Sequence, residues 1–529
     1  MLDFIPVILA VSPVIIVFIC VLFLRLPADY CGLAGFATAL LASLLYFQTD
    51  AVVAVKAILA AIVESLPITL LVATSILQVF FMERTGAIRR IAVALKTLTG
   101  DDKIAKTIII NIGFAAILWG VGLNPLSILP LLLLGLGFSP YAAVALPAIG
   151  SAALFIYAFL GAHLIPFYLY TGGGQPFEQV GGYFIRYIWP TTLITTLGVL
   201  YITGGRKAIF KGFSFAILTT AVVYLVSAMD ARLGISGWTG ILSGVAIIAA
   251  IFLRQISSGK KVIDRNTLSE DDKAVEQNSR LSIALLPLIL TAFLFLLSSS
   301  APFGVSLSEE FPGAIHIIPL NVTRVEPLAQ AYFWTFVATV LCVPFYRGGW
   351  RHFKAATGKW AKLGLRPVLS AMLFFATAYL MWHSGKAQII DKYNCLNWVI
   401  PDGHMNMIDV MVNFCKSSFD GAYAVAGTIA GLRMGFISGS ETLPIIILTR
   451  GHLEAAYALL KSGGAGIFIA AASAVAASLM VMLNPARLQN ASAVIGQTGV
   501  ESRVWRATAV IAIITVAVIA VIAYFLSLL

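Results

Sequence analysis

The chain has 529 residues, of which 60% are hydrophobic and 11% charged, against roughly 25% charged in a soluble domain. That balance excludes a soluble globular enzyme and predicts an all-α polytopic integral membrane protein. The formal charge of +11 does not signal nucleic acid, because the basic residues sit in short loops between apolar spans, where they set orientation in the bilayer.

At about 20 residues per helical crossing, the first predicted helices are 4–24, 31–48 and 52–82. Residues 1–24 lack the basic start and small-residue cleavage site of a signal peptide, so they read as the first span. Glu64 is the carboxylate of the third run, beside Leu66-Pro67. A basic stretch follows, with Arg84, Arg89, Arg90, Lys96, Lys103 and Lys106.

Runs at 106–121, 125–138, 141–168 and 183–203 come next. Gly122-Leu123-Asn124-Pro125 reads as a helix start: Asn is a favoured N-cap, and Pro at the first helical position loses no hydrogen bond. At membrane depth its free N–H groups would face a cavity and hold an anion, with Ser127 in the first turn; at the surface it is an ordinary turn. The run 141–168 is broken and polar, carrying Ser151, Tyr157 and His163 in Gly161-Ala162-His163-Leu164-Ile165-Pro166.

A second basic loop holds Arg206, Lys207 and Lys211, before helices at 212–228 and 237–254. The polar segment 255–280 reads as a flexible cytoplasmic linker between two transmembrane halves, 1–254 and 281–529. It contributes Lys260, Lys261, Arg265, Lys273 and Arg280, and a further basic run holds Arg347, Arg351, Lys354, Lys359, Lys362 and Arg366. All four basic loops fall on one side if even numbers of spans separate them, which puts the N-terminus outside.

The second half predicts helices at 281–299, 329–346, 366–384, 420–437, 463–483 and 505–528, with 441–449 a half-helix too short to cross. The total is roughly 13–15 spans by that length criterion. Ser438-Gly439-Ser440-Glu441-Thr442 repeats the break logic, with Ser440 able to cap a half-helix from Glu441 and Gly439 permitting the turn. Close helix packing is the other reading of these small residues. Arg433 is the only cation in the run 421–437, suited to grip a carboxylate or to snorkel to an interface. Asn484, Pro485, Gln489 and Asn490 follow the next span and line a cavity or cap a helix. Cys395 and Cys415 share an outer loop, as a disulfide or two thiols. Asn321-Val-Thr323 forms a glycosylation sequon.

Several of these patterns together resemble the lactate permease family, the proton-coupled L-lactate and glycolate permeases of prokaryotes. They are Leu66-Pro67-Ile68 with Arg84-Thr85-Gly86; Gly135-Leu-Gly-Phe138-Ser-Pro140-Tyr141-Ala-Ala143; Ser438-Gly439-Ser440-Glu441-Thr442; and Met482-Leu-Asn484-Pro485, continuing through Ala491-Ser492-Ala493-Val494 and Gly499-Val-Glu501-Ser502. Their order holds from about residue 50 to the C-terminus. The family's acidic, glycine-rich segment is replaced by Ile117-Leu-Trp119-Gly120-Val-Gly122-Leu-Asn124-Pro125, which keeps the proline but has no carboxylate, and its Asn-Thr pair is replaced near Gly150-Ser151.

The resulting expectation is a secondary transporter, multi-pass in the plasma membrane, moving L-lactate or a similar small monocarboxylate such as glycolate by proton symport. An inverted repeat would place two half-helix starts around one site. The candidate substrate-binding residues are Asn124, Ser127, Ser151, His163, Arg433, Ser438, Gly439, Ser440, Thr442, Asn484 and Gln489, with Glu441 and Glu64 for proton coupling. The expected partners are a small organic anion, a proton and the lipid bilayer; the oligomeric state is open between monomer and homo-oligomer. No cofactor or metal is expected, since no metal-ligand spacing or phosphate-binding loop occurs. The rival readings are a permease for another organic anion such as a dicarboxylate, an intramembrane enzyme using His163, Glu441 and Arg433, and a structural membrane subunit.

Overall fold

The computed structural model describes residues 4–172, 177, 180–300, 314–319, 323–390 and 396–528. The first half holds α1 (Phe4–Leu22), α2 (Ala28–Leu45), α3 (Ala51–Glu64), α4 (Leu66–Arg84), α5 (Ala87–Lys96) and α6 (Lys103–Gly120). It continues with α7 (Pro125–Gly135), α8 (Pro140–Gly150), α9 (Leu164–Tyr170), α10 (Val180–Leu233) and α11 (Thr239–Ser257). The second half has α12 (Glu270–Asn278), α13 (Leu281–Ser298), α14 (Ala331–Cys342), α15 (Gly349–Leu363) and α16 (Leu365–His383). It ends in α17 (Met407–Phe419), α18 (Tyr423–Ser438), α19 (Thr442–Leu460), α20 (Gly463–Met482), α21 (Pro485–Val494) and α22 (Val500–Ser527). Strands occur only as two short antiparallel hairpins among the described residues, β1–β2 (Ala314–Ile315 with Thr323–Arg324) and β3–β4 (Ala387–Ile390 with Leu396–Val399).

Eleven described helices are long and apolar enough to cross a bilayer, or up to twelve if the bent pair Pro140–Gly150 and Ala152–Gly161 is one span. The sequence count is higher for three reasons. The runs 183–203 and 212–228 join in the 54-residue α10, which changes direction at Gly204 and Gly205. The runs 125–138 and 329–346 yield shorter apolar helices, and 420–437 yields the 16-residue α18. Conversely, the supposed half-helix 441–449 continues to Leu460 as the 19-residue α19, because Arg450, His452 and Glu454 interrupt the hydropathy but not the helix. The long run 52–82 breaks at Ser65 into α3 and α4.

The four basic runs gather at one end of the bundle. Lys359 pairs with Glu83 at 2.5 Å, Arg90 with Glu276 at 3.9 Å and Lys260 with Asp102 at 3.2 Å. Lys211 shares a surface pocket with Asp102 and Lys260. The segment expected as a flexible linker is docked here. Thr99 N–H donates to the Val262 carbonyl at 2.7 Å, Asp264 N–H to the Thr97 carbonyl at 2.8 Å, and α12 begins with a Ser269–Asp272 capping box. Burial pushes the Asp272 carboxyl up, but its hydrogen bonds from Lys96 and Ser269 prevail and hold it below the usual carboxylate range. Asn321 and Cys395 lie outside the described residues; Cys415 is buried in α17.

α18 packs closely against α20. Gly427, Gly431 and Gly435 recur every four residues on α18 and face Ile469, Ser473 and Ala477, spaced likewise on α20. A Cβ at Gly431 would strike the Ser473 carbonyl, and one at Gly435 the Ala477 carbonyl. Such small-residue ridges let backbones touch where lipid supplies no hydrophobic drive. Gly431→Ala is expected to cost about 1–3 kcal/mol as an overpacked contact, seen as a lower melting temperature in detergent. An unchanged melting temperature would refute the close approach.

Candidate functional site

Two short helices start from breaks that the sequence marks. Asn124 accepts a hydrogen bond from Leu126 N–H at 3.0 Å through its side chain, and Pro125 occupies the first turn of α7. Gly122 adopts φ +80° in the preceding turn, where the Phe295 ring and Ala331 leave no room for a Cβ. Asn484 repeats the device: it caps α21 by accepting from Ala486 N–H at 2.9 Å, with Pro485 following. With 11 and 10 residues, α7 and α21 are only about 15–17 Å long, half of a bilayer core.

These helices belong to larger broken units. α6 ends at Gly120 and the chain reverses into α7; the Lys103 ammonium at the start of α6 sits 4.9 Å from the Phe138 ring after α7, so both ends of this hairpin lie together. From Pro140 the chain runs through α8, breaks at Ser151, and kinks at Phe159 and Leu160, both at φ +54°, before α9. Such left-handed bulky residues are held only by their surroundings. In the second half, α18 and α19 pack side by side and meet at the turn 439–441, and α20 leads into α21 across the break at Leu483 and Asn484.

The tip between α18 and α19 is built from its own hydroxyls. Gly439 takes φ +60°. The Ser438 hydroxyl donates to the Ser440 carbonyl at 2.9 Å and accepts from Ser440 N–H at 3.2 Å, while the Ser440 hydroxyl accepts from Leu443 N–H at 3.4 Å. The tip is tied to α21: the Asn484 amide donates to the Phe436 carbonyl at 2.6 Å, and Arg487 donates to the Gly439 carbonyl through Nε at 3.3 Å and Nη2 at 3.2 Å.

A cavity of about 470 Å³ opens between these breaks, with Asn124, His163, Ser440, Glu441, Thr442 and Arg487 as polar walls and Leu71, Phe155, Phe159 and Phe295 as apolar ones. Glu441 is 1% exposed; its Oε1 accepts from the Ser478 hydroxyl, and its Oε2 has no hydrogen-bond partner. That free oxygen lies 3.9 Å from His163 Nε2, itself without a hydrogen bond, while His163 Nδ1 is 3.1 Å from the Thr442 hydroxyl. Arg487 lies 5.1 Å from the Phe155 ring and 5.6 Å from the Trp119 ring, and Trp119 Nε1 is buried without a partner. One buried carboxylate, one buried guanidinium and an unpartnered imidazole nitrogen in a shared cavity are expensive in a membrane protein and make it the candidate ligand site. The N-termini of α7 and α19 lie at its wall, so their dipoles favour an anion.

Of the sequence candidates, Asn124, His163, Ser440, Glu441 and Thr442 line this cavity. Ser438, Gly439 and Asn484 build the tip behind it. Ser127 bonds Ser75 at 2.8 Å and Asn490 at 3.2 Å, and Ser151 bonds the Pro147 carbonyl at 2.6 Å. Gln489 accepts from Ser370 at 2.5 Å and donates to Asp29 at 3.1 Å. Glu64 takes a hydrogen bond from Thr323 at 2.6 Å. Arg433 is elsewhere, beside Cys415 and Leu448 at a void of about 20 Å³. Sequence reasoning missed Arg487. The available signal was Asn484-Pro485: it opens a helix, and Arg487 occupies that helix's first turn.

A family model described as L-lactate permease matches residues 6–317 and 314–529 of the chain. No curated protein matches it.

Proposed function

The chain belongs to the L-lactate permease family, and from that premise we propose that it carries L-lactate, or a similarly small monocarboxylate such as glycolate, across the plasma membrane together with a proton. The observation that carries the reading is the buried Arg487 guanidinium facing the same cavity as the unpartnered oxygen of Glu441. In this reading the fork of Arg487 and the N-termini of α7 and α19 hold the carboxylate. Glu441 holds the proton, with His163 placed to exchange it. The halves 1–254 and 281–529 both supply walls, and the cavity is exposed to each side in turn. The end carrying the four basic runs is assigned to the cytoplasm by the positive-inside rule, with the N-terminus outside.

The test is uptake of radiolabelled L-lactate into proteoliposomes with and without an inward proton gradient. Gradient-driven accumulation is expected. Folded protein that takes up no lactate under either condition would refute the substrate assignment. A second reading, a larger organic anion, is favoured by the cavity: about 470 Å³ exceeds a three-carbon acid several-fold. Counterflow competition among lactate, glycolate, pyruvate and dicarboxylates separates the two.

A further inference from the structure

A second polar site lies behind the broken span, between the later part of α10 and the start of α11. Most hydroxyls on α10 bond back to their own helix: Thr191, Thr192, Thr195, Thr196, Thr203 and Thr220 each donate to the carbonyl four residues earlier, at 2.6–2.8 Å. Thr219 and Ser227 on α10 do not, nor do Ser236, Thr239 and Ser243 after it. Their hydroxyls are buried without a hydrogen-bond partner, as is Oδ2 of Asp230.

Ser227, Asp230 and Thr239 lie together. Asp230 and Thr239 lie within hydrogen-bonding reach of each other, as do the Tyr157 phenol and Ser227, neither pair closing a well-aligned bond, and Tyr157 also faces Asp230. Asp230 is 3% exposed and Thr239 1%. Two glycines keep backbone oxygens close: a Cβ at Gly240 would lie 3.2 Å from the Tyr157 carbonyl, and one at Gly237 would lie 2.5 Å from the Leu160 carbonyl. Gly181 leaves room for the Ser236 hydroxyl in the same way.

A buried carboxylate is costly without a counter-charge, and no cation pairs with Asp230, 3% exposed, among the described residues. The donor set is one carboxylate and its neighbouring hydroxyls. It is all hard oxygen, and it carries a single negative charge. We propose that this cluster is a binding site for a monovalent metal cation, sodium, held by Asp230 with Ser227 and Thr239. A single carboxylate balances one monovalent charge and leaves a divalent ion underneutralised. The site shares its backbone with the substrate cavity: Tyr157 belongs to it, whereas Phe159, Leu160 and His163 line the cavity. A bound cation would therefore fix the break against which substrate packs. The inference stands whichever anion is transported.

The test uses purified full-length protein in detergent, without substrate. Binding of radiolabelled sodium is measured by equilibrium dialysis, and melting temperature is followed as sodium replaces choline at constant ionic strength. Saturable binding and a rise in melting temperature with sodium are expected, both lost in Asp230→Asn. Thr239→Ala, a milder change, should raise the half-saturating sodium concentration about tenfold. Wild-type protein that binds no sodium and melts alike in both salts would overturn the proposal. Retained wild-type binding in both variants would overturn the site.

Discussion

Arg487→Ala should lower substrate uptake at least about a hundredfold while leaving membrane insertion intact. Charge-assisted hydrogen bonds contribute about 1.5–3 kcal/mol each, and a guanidinium gripping a carboxylate through two of them gives up more than the roughly 2.8 kcal/mol that a hundredfold represents. Arg487→Lys keeps the charge but loses the fork, so its defect should fall mainly on KM. Arg487 also donates to the Gly439 carbonyl, so elution profile and melting temperature must be read beside uptake. Arg433→Ala serves as the control, since Arg433 lies away from the cavity, and should transport normally. Folded Arg487→Ala with near wild-type uptake would remove Arg487 from the site.

The second large effect is expected at Glu441. Glu441→Gln preserves volume and can still accept from Ser478, but it cannot carry a proton. Accumulation driven by an inward proton gradient should collapse to simple equilibration, an inside-to-outside ratio near one. Exchange of labelled for unlabelled substrate at equal pH should continue, because exchange needs no net proton movement. Uphill accumulation by the variant would assign the coupling to another group. Loss of exchange as well would make Glu441 a binding residue instead.

Much of the site was legible because breaks in membrane helices need special residues. Asn124-Pro125 and Ser438 to Thr442 stand out since freed backbone groups require caps, a proline or a glycine. Arg487 was not legible in the same way. Polar Arg487, Gln489 and Asn490 make 485–494 resemble a loop, yet the helix is wholly buried. A hydropathy window sees composition, not what surrounds a residue in three dimensions. The same limit favoured Arg433, whose apolar neighbours in sequence say nothing about which face of α18 it occupies. Asp230 is inconspicuous because it closes an otherwise apolar run, and Thr239 and Tyr157 beside it come from other segments. The fold class was plain from composition. The docking of 255–280 was not, since its contacts to Thr97 and Thr99 are made by backbone atoms that carry no residue signature.

The glycine ridge of α18 bears on how the transporter can move. A tip hinging alone would have to peel Gly431 and Gly435 from α20 and break the bonds from Asn484 to Phe436 and from Arg487 to Gly439. Interlocked backbones do not slide by fractions of a step. The hairpin, α20 and α21 therefore form a single stiff block, carrying Glu441 and Arg487 at a fixed separation. In the proposed transport cycle, opening to either side comes from displacement of that block against the rest of the bundle, so the Glu441 carboxyl and the Arg487 guanidinium travel together like cargo on one platform.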